Sequence, residues 1–430
     1  MLAPPSTVPV MTRPFHPTVT IAGLLGALPT GDGIAVVRDG DSVIIGAGAR
    51  DVIVADGEAA FEALDRMERE PGFWVGFCAY DLGRSVERVR ACAIDDRHLP
   101  DLAFARFDAR LVLRPDGSCD VLGTGPNVEV LERARWLARR AARAEPSAAA
   151  AAARRWTTSL DRPAHREAVC RIGDLLDDGE CYQVNLTRRI SHARPLDPIR
   201  LFSRLWEHNP APHAALVMFG TRGPAVAIVS ASPELFLDIS DDIATTRPIK
   251  GTHRDRTALR QSAKDAAEHV MIVDLARNDL GRVCVPGSVR VPALMTVEAH
   301  PGLYHLVSTI IGQRRERVSL GTVVRALFPA ASITGAPKPR VMQAIEDLEP
   351  VRRGVYCGAV GWIDGGAQRA QLAVAIRTFT ITAVATDLGV GGGVVADSTP
   401  AGEWDEMELK VHRLLEAAGA PTIAEHRSMP

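Results

Sequence analysis

Lysine is scarce in this sequence, although cationic side chains are common. Only four of the 50 lysine and arginine residues are lysine, so that 46 are arginine. Only an amine can lose its proton near neutral pH and act as a nucleophile or a base, so a lysine kept against this bias is a candidate for such chemistry. A codon bias that leaves four ordinary lysines is the alternative. The four are Lys250, Lys264, Lys338 and Lys410.

Lys250 is the strongest of these candidates because of its neighbours. It lies in the segment TRPIKGT, two residues after Pro248 and directly before Gly251. Proline stiffens the backbone on one side, and glycine frees it on the other. The residues from Ile243 onward predict a strand that ends at this lysine. The sequence therefore predicts an amine held at the end of a strand.

Cysteine pairs, net charge and long apolar runs are also lacking. The seven cysteines are scattered and form no CxxC pair, which argues against a disulfide framework or a zinc site and fits a reducing cytoplasm. The formal net charge of −2 implies no nucleic-acid partner. No apolar run approaches membrane-spanning length, and residues 1–17 are too rich in proline for a signal peptide. We therefore expect a cytoplasmic protein with neither a membrane nor a nucleic-acid partner.

The chain divides into two parts by composition. Up to about Gly123, short apolar segments are broken by Gly, Asp and Pro, which predicts a sheet-rich region. An arginine-rich helix is predicted from Asn127 to Glu145, either as a solvated face or as a surface for a partner subunit or a membrane. The alanine-rich stretch after it is typical of a linker. We therefore expect an N-terminal region over residues 1–150 and a catalytic domain over residues 151–425.

Two predicted helices carry acidic pairs beside an apolar stripe. The first spans Gln261–Leu275 and the second begins at Glu403. Acidic residues three apart are neighbours on one helix face. The acidic residues are Asp265 and Glu268 on the first helix, and Glu403 and Glu406 on the second, with Lys410 one turn further on. The expected apolar stripes are Ala267, Met271 and Leu275, and Trp404, Met407, Val411 and Leu414.

Two such helices could hold one Mg²⁺ ion between them, since Mg²⁺ takes oxygen ligands and usually keeps waters or a substrate oxygen. Acidic pairs also occur on ordinary solvated helices, so the spacing alone leaves that alternative open. The three successive glycines Gly391–Gly393 would let backbone N–H groups approach an anionic ligand. Arg377 lies in an apolar, β-like run, where a cation often receives a carboxylate or pairs with a structural aspartate.

An ordered run of motifs beyond residue 155 resembles the chorismate-utilising enzymes. This family includes anthranilate synthase component I, aminodeoxychorismate synthase component I, isochorismate synthase and salicylate synthase. The segment Gly72–Arg84 also looks like the family's N-terminal strand motif, so the resemblance covers most of the chain. The other motifs are CYQVNL (Cys181–Leu186), SASPELF (Ser230–Phe236), TRPIKGT (Thr246–Thr252), KDAAEHVMIVDLARNDLGRV (Lys264–Val283), HLVSTI (His305–Ile310), SITGAPK (Ser332–Lys338), YCGAVGW (Tyr356–Trp362), AIRTF (Ala375–Phe379), the glycine strand and EWDEMELK (Glu403–Lys410).

Three features of these motifs indicate a branch of the family. The lysine of PIKGT resembles aminodeoxychorismate synthase component I, because other members generally have alanine there. The SITGAPK loop points the same way. Gln183 resembles the branches that aminate chorismate, because the water-adding members carry a lysine base at that position. The resemblance therefore implies amination, with anthranilate synthase component I and a non-catalytic chorismate-binding subunit as the alternatives.

The resemblance also implies a mechanism. Lys250 would attack C2 of chorismate as the 4-hydroxyl leaves, and ammonia would then replace the lysine by attack at C4, giving 4-amino-4-deoxychorismate. Glu234 matches the general acid that protonates the leaving hydroxyl. Gln183 completes the implied catalytic set. The chain carries no recognisable glutaminase domain, so a separate glutamine amidotransferase subunit is the implied source of ammonia.

The resemblance further implies a metal site and a substrate pocket. Mg²⁺ would be held mainly by Glu268 and Glu406, with Asp265 and Glu403 as outer partners. Taken singly, each pocket residue also has an ordinary structural interpretation, such as core packing or a loop hydroxyl. The fold implied is α+β, with two large antiparallel sheets packed face to face and helices outside. The residues matched to the pocket are Tyr356, Arg377, Gly391, Gly392, Gly393, His305, Thr334 and Lys410.

Overall fold

The computed structural model describes residues 21–29, 31–123, 125–141, 156–300 and 303–420. The alanine-rich linker and the boundary expected near Ala150 lie outside these ranges. The arginine-rich helix predicted from Asn127 is present and is described as far as Ala141. Within these ranges, no helix combines the length and the apolar character needed to cross a lipid bilayer.

The described helices begin with caps and prolines that the sequence supplies. Asp161 and Asp197 accept backbone N–H groups at the start of the fourth and fifth helices, and a proline stands in the first turn of both. The helices are α1 (Ile21–Gly26), α2 (Glu58–Arg69), α3 (Asn127–Ala141), α4 (Arg162–Asp177), α5 (Pro198–His208), α6 (Arg256–Gln261), α7 (Ala263–Gly281), α8 (Leu320–Leu327), α9 (Lys338–Leu348) and α10 (Pro400–Ala417).

The strands outnumber the helices and supply most of the buried apolar side chains. In chain order they are β1 (Ile34–Asp39), β2 (Ser42–Ala47), β3 (Asp51–Ala55), β4 (Phe73–Cys78), β5 (Leu102–Phe107), β6 (Ala109–Leu113), β7 (Cys119–Gly123), β8 (Trp156–Thr158), β9 (Gln183–His192), β10 (His213–Met218), β11 (Val226–Ser232), β12 (Leu235–Ser240), β13 (Ile243–Arg247), β14 (Ile249–His253), β15 (Arg290–His300), β16 (Leu303–Gln313), β17 (Gly335–Ala336), β18 (Ala359–Asp364), β19 (Arg369–Val374), β20 (Thr378–Thr382) and β21 (Thr386–Val394).

Antiparallel pairing joins the strands into two sheets. Sheet 1 has 11 strands in the order β17-β9-β21-β20-β11-β10-β1-β2-β6-β7, with β8 also on β9. Sheet 2 has 10 strands in the order β14-β16-β13-β12-β19-β18-β4-β5-β3, with β15 also on β16. Strand β1 pairs with β10, and β4 pairs with β18. Both sheets are therefore built from strands of the N-terminal and the C-terminal parts of the chain.

The two sheets pack face to face around an apolar interior. Val37 and Val217 of sheet 1 share one buried cluster with Val75 and Phe77 of sheet 2. The ring of Phe77 meets that of Phe219 edge-on, with centroids 5.9 Å apart. Helices α1, α3, α5 and α10 cover the outer face of sheet 1, and α2, α7 and α8 cover that of sheet 2. The predicted α+β fold of two packed antiparallel sheets with outer helices is confirmed.

The prediction of one strand from Ile243 to Lys250 is wrong, because this segment forms two strands. β13 ends at Arg247 and β14 begins at Ile249, and both pair with β16. The break falls at Pro248, which has no N–H to donate to the ladder. Lys250 is thus the second residue of β14, and an irregularity at Gly251, whose φ is +84°, follows it.

The apolar stripe predicted for the first acidic helix is also wrong. Ala267 of α7 is exposed, and Met271 and Leu275 are only half-buried. The buried face instead contains His269 and Asp279 among its apolar residues, and hydrophobic spacing does not detect such buried polar groups. On α10 the prediction of a stripe at Met407, Val411 and Leu414 is confirmed, whereas Trp404 is half-buried.

Candidate active site

Lys250 meets the first acidic helix at the edge of sheet 2. Its Nζ lies 3.2 Å from Oε2 of Glu268 on α7, and both side chains are largely buried. Lys264 of α7 approaches the same carboxylate at 4.0 Å but is more exposed. Asp265 lies one turn earlier on α7, where its Cβ would be 3.1 Å from a Cβ built on Gly251. Strand β14 and helix α7 therefore place an amine and a carboxylate in direct contact.

The glycine strand β21 brings sheet 1 to this amine. A Cβ built on Gly393 would lie 2.5 Å from Lys250 Nζ and 2.9 Å from Gln183 Nε2. Gln183 is fully buried, and neither its amide oxygen nor its nitrogen has a hydrogen-bond partner in the part of the chain that the structure describes. A buried amide without partners is costly unless a ligand completes its hydrogen bonds. Lys250, Gln183 and Gly393 therefore share one small space between the sheets.

The second acidic helix reaches the same strand through Lys410. Its Nζ donates to the carbonyl of Gly391 at 3.0 Å and lies 2.8 Å from Oε1 of Glu406. A Cβ on Gly392 would lie 2.8 Å from Oε2 of Glu403. The other oxygen of Glu403 accepts a hydrogen bond from Ser398 at 2.6 Å. Gly392 therefore leaves room for the Glu403 carboxylate, and Gly391 offers its carbonyl to Lys410, so two side chains of α10 meet the backbone of β21.

Charges on the two helices act on each other. Lys410 is the main cause of the lowered pKa of Glu406, and Lys250 and Lys264 add to it. Burial raises the pKa of Glu403, and the neighbouring Glu406 raises it further. Because lysines of β14 and α7 influence a carboxylate of α10, the two acidic helices face one electrostatic site.

Glu234 lies between β11 and β12, directly before Leu235, and is 4% exposed. Burial raises the pKa of its carboxyl to about 7, against opposing effects of Ser332, the Ile249 amide, Lys250 and Arg377. The carboxyl accepts hydrogen bonds from Ser332 Oγ at 2.6 Å and from the Ile249 N–H at 3.4 Å. A carboxyl that titrates near neutral pH can serve as a proton donor.

Arg377 and His305 form a polar chain that ends on Thr252 of β14, the strand that carries Lys250. Arg377 Nη2 lies 3.2 Å from His305 Nε2, and His305 Nδ1 lies 2.8 Å from Thr252 Oγ1. Arginine can only donate, so Nε2 accepts and Nδ1 carries the imidazole proton. Burial lowers the pKa of Arg377 to about 10, which leaves it charged at neutral pH. Its φ of +52° is rare for a side chain of this size.

Tyr356 and Thr334 make their contacts elsewhere. The Tyr356 ring packs against Gly389 of β21 and lines an open cleft with Arg353 and Asp387. The Thr334 hydroxyl donates to the carbonyl of Ala330 at 2.9 Å, within its own loop. The structure therefore shows no direct contact of either residue with Lys250 in the described parts of the chain.

The sequence interpretation missed two polar residues. Ser332 donates to Glu234, and His269 lies between the Lys250 carbonyl, at 3.3 Å, and Ser308 Oγ, at 2.6 Å. Both residues lie within the family motifs, His269 directly after Glu268 and Ser332 two residues before Thr334. Neither their type nor their spacing indicated which group they would bind.

The carboxylates of α7 and α10 are the candidate ligands for Mg²⁺. No group of three His, Cys, Asp or Glu side chains suited to a metal occurs among the described residues. Mg²⁺ commonly uses only one or two protein carboxylates and completes its shell with waters and substrate oxygens. Lys250 Nζ lies 3.2 Å from Oε2 of Glu268 and helps to lower the pKa of Glu406, so the two carboxylates lie around one amine and their oxygen donors suit Mg²⁺. Glu403, bonded to Ser398, and Asp265, beside Gly251, fit a supporting position.

Comparisons with known proteins give the family. Residues 37–416 match the family model described as chorismate binding enzyme. Aminodeoxychorismate synthase component 1 of Salmonella typhimurium is 38% identical over 352 residues, covering 79% of this chain and 75% of the relative. Anthranilate synthase component 1 of Mycobacterium bovis is 36% identical over 434 residues, covering 90% of this chain and 83% of the relative. The crystal structure of anthranilate synthase component I from Streptococcus pneumoniae matches with a TM-score of 0.77 at 24% identity, covering 88% of this chain and 92% of that one. This chain belongs to the family of chorismate binding enzymes.

Proposed function

We propose that this protein is the component I subunit of aminodeoxychorismate synthase. It converts chorismate and ammonia to 4-amino-4-deoxychorismate in the cytoplasm, on the route to para-aminobenzoate and folate. The observation that carries the proposal is the Lys250 amine, which lies 3.2 Å from Glu268 and faces the same space as Gln183 and Gly393. The similarity to the Salmonella typhimurium aminodeoxychorismate synthase component 1 supports the same reaction.

Lys250 is the nucleophile in this proposal. Its unprotonated Nζ forms a bond to C2 of chorismate, the ring double bonds shift, and the C4–O bond breaks. Glu234 gives its proton to the departing oxygen, which leaves as water. A pKa of about 7 keeps part of this carboxyl protonated at neutral pH. Ammonia then forms a bond to C4, the double bonds shift back, and the C2–Nζ bond breaks, which restores the amine.

The remaining residues bind and orient the substrate. Chorismate is a dicarboxylate, and the half-buried cation of Arg377 can receive one carboxylate. The missing Cβ of Gly393 leaves room beside Lys250 Nζ and Gln183 Nε2, which is where we place the ligand. Glu268 and Glu406 would hold Mg²⁺, which supplies charge neutralisation for a substrate carboxylate when bound.

Ammonia comes from a separate glutamine amidotransferase subunit in this proposal. The isolated chain should therefore turn over chorismate only with added ammonium. Addition of glutamine alone should give no product, and addition of glutamine with a cognate glutaminase subunit should restore turnover. Turnover with glutamine alone would contradict the need for a second subunit.

Anthranilate synthase component I is the second candidate, because the Mycobacterium bovis relative aligns with 90% of this chain. Product analysis separates the two. Incubation with chorismate, Mg²⁺ and ammonium should yield a 4-amino product in the first case and anthranilate in the second. No turnover at all would favour a non-catalytic subunit.

Lys250→Ala is the sharper test. We expect loss of turnover to the detection limit, because the covalent route has no other nucleophile at that place. Lys264→Ala is the matched control, since Lys264 approaches the same Glu268 carboxylate from a more exposed position. A Lys250→Ala variant that forms 4-amino-4-deoxychorismate at the parent rate would rule out covalent catalysis by this lysine.

A further inference from the structure

Two hydrogen bonds converge on one oxygen of Glu234. Ser332 Oγ donates to Oε1 at 2.6 Å, and the Ile249 N–H points to the same atom at 3.4 Å. Both bonds that the described residues donate to this carboxyl therefore fall on Oε1. An oxygen that accepts two donors is a poor place for a proton, so a protonated Glu234 carries its hydrogen on Oε2.

The loop that carries Ser332 is held firmly. Ser332 lies in the short 3₁₀ turn Ala331–Ile333. The Ile333 carbonyl accepts from Arg353 Nη1 at 2.8 Å, and Arg353 forms a fully buried ion pair with Glu349. The Thr334 hydroxyl closes the loop on the Ala330 carbonyl at 2.9 Å. The Ser332 hydroxyl is therefore placed by a packed and hydrogen-bonded loop rather than by a free chain.

We propose that Ser332 is a positioning residue that holds Glu234 Oε1 as an acceptor and so directs the acidic hydrogen on Oε2 toward the substrate. The direction of proton transfer rests on the proposed function, whereas the hydrogen bond itself does not. This gives the SITGAPK loop a role in proton donation as well as in shaping the pocket. Thr334, which shares the loop, is not part of this contact.

Several charged groups surround Glu234, and a substitution at Ser332 leaves each of them in the protein. Lys250 on β14 and Arg377 after β19 lower its pKa, and burial raises it. Glu234 in turn helps to raise the pKa of the Cys357 thiol. Asp279 of α7 lines the same open cleft as Glu234 and Ser332. A change confined to the Ser332 hydroxyl leaves these groups in place.

The first test needs no substrate. The carbonyl stretch of the protonated carboxyl is followed by difference infrared spectroscopy from pH 5 to 9, with Glu234→Gln used to assign the band. In Ser332→Ala the midpoint should rise by roughly one pH unit, since the lost bond favours the ionised carboxyl. In Ser332→Thr the hydroxyl is kept, and the midpoint should return to within about 0.3 units of the parent value. An unchanged midpoint in Ser332→Ala would overturn the proposal whatever reaction the protein performs.

The second test uses turnover at a fixed concentration of free ammonia. A general acid must be protonated, so activity falls as the pH rises through its pKa. Ser332→Ala should move this alkaline limb upward and lower kcat about tenfold, with KM for chorismate within about twofold of the parent value. Ser332→Thr should recover most of kcat. Equal loss in the Thr and Ala variants would show a packing role only. If the parent protein makes no 4-amino product, the proposed function is refuted. The infrared measurement would still decide whether the hydrogen bond from Ser332 sets the pKa of Glu234.

Discussion

Gly393→Ala tests whether the space beside Lys250 is the reaction centre. The new Cβ would lie 2.5 Å from Lys250 Nζ and 2.9 Å from Gln183 Nε2, whereas unstrained contacts of this kind lie near 3.5 Å or beyond. The amine must therefore retreat by about 1 Å. A displacement of that size at a reacting atom can cost on the order of 100-fold in rate, equivalent to about 2.7 kcal/mol of activation free energy.

The same substitution should leave the fold largely intact. Gly393 does not occupy the left-handed backbone region, so alanine fits its backbone, and the tip of a lysine side chain moves cheaply. We expect the free energy of unfolding to change by no more than about 1 kcal/mol. Gly173→Ala on α4 is the matched control, because a Cβ there meets nothing within 4 Å.

The assay is steady-state turnover of chorismate with saturating ammonium, paired with thermal unfolding of each variant. Gly393→Ala should lose about 100-fold in kcat with a nearly unchanged Tm, and Gly173→Ala should keep parent activity. Full activity in a folded Gly393→Ala variant would show that the chemistry does not occur beside Lys250 and Gln183. A loss of rate that only follows a fall in Tm would refute the steric reasoning.

Two further outcomes are expected from the carboxylates. Glu268→Gln should raise the Mg²⁺ concentration for half-maximal activity at least tenfold. Asp274→Asn, which changes an exposed carboxylate of α7 paired with Arg277, is the control and should leave this concentration unchanged. Equal effects of the two substitutions would show that Glu268 is not a metal ligand. Glu234→Gln should abolish activity yet stabilise the protein at pH 8. The folded protein holds the Glu234 proton more tightly than the unfolded chain does. Ionisation of this carboxyl therefore leaves the free energy of unfolding unchanged below pH 4.5 and lowers it by up to about 3 kcal/mol once the pH exceeds about 7. Urea unfolding at pH 5 and pH 8 measures this gain, and an equal gain at both values would contradict it.

The fold was predictable because the motifs are long and ordered. Their resemblance to one family implied two antiparallel sheets, and the pairing of β4 with β18 and of β1 with β10 agrees with it. Pro248 itself indicates the break, since proline cannot donate to a ladder, although the apolar pattern predicts one continuous strand. An apolar pattern does not detect a missing N–H donor, so the backbone chemistry of proline is the better guide to where this strand ends.

The site was predictable only in part, for a physical reason. Residue type indicated which groups could act, and the structure brings Lys250, Glu268, Gln183 and Gly393 together. Hydrogen-bond partners depend on which loops meet in space, so the bond from Ser332 to Glu234 left no periodic trace in the sequence. The roles of the individual site residues remain predictions until the variants are measured.

The interleaving of strands from both ends of the chain has a consequence for expression and engineering. Strand β10 needs β1 as its neighbour, and β18 needs β4. A fragment that begins after the alanine-rich stretch would present two bare sheet margins and an uncovered apolar interior, which are the features that drive aggregation. We therefore expect that the part of the chain after the alanine-rich stretch does not fold when it is expressed alone.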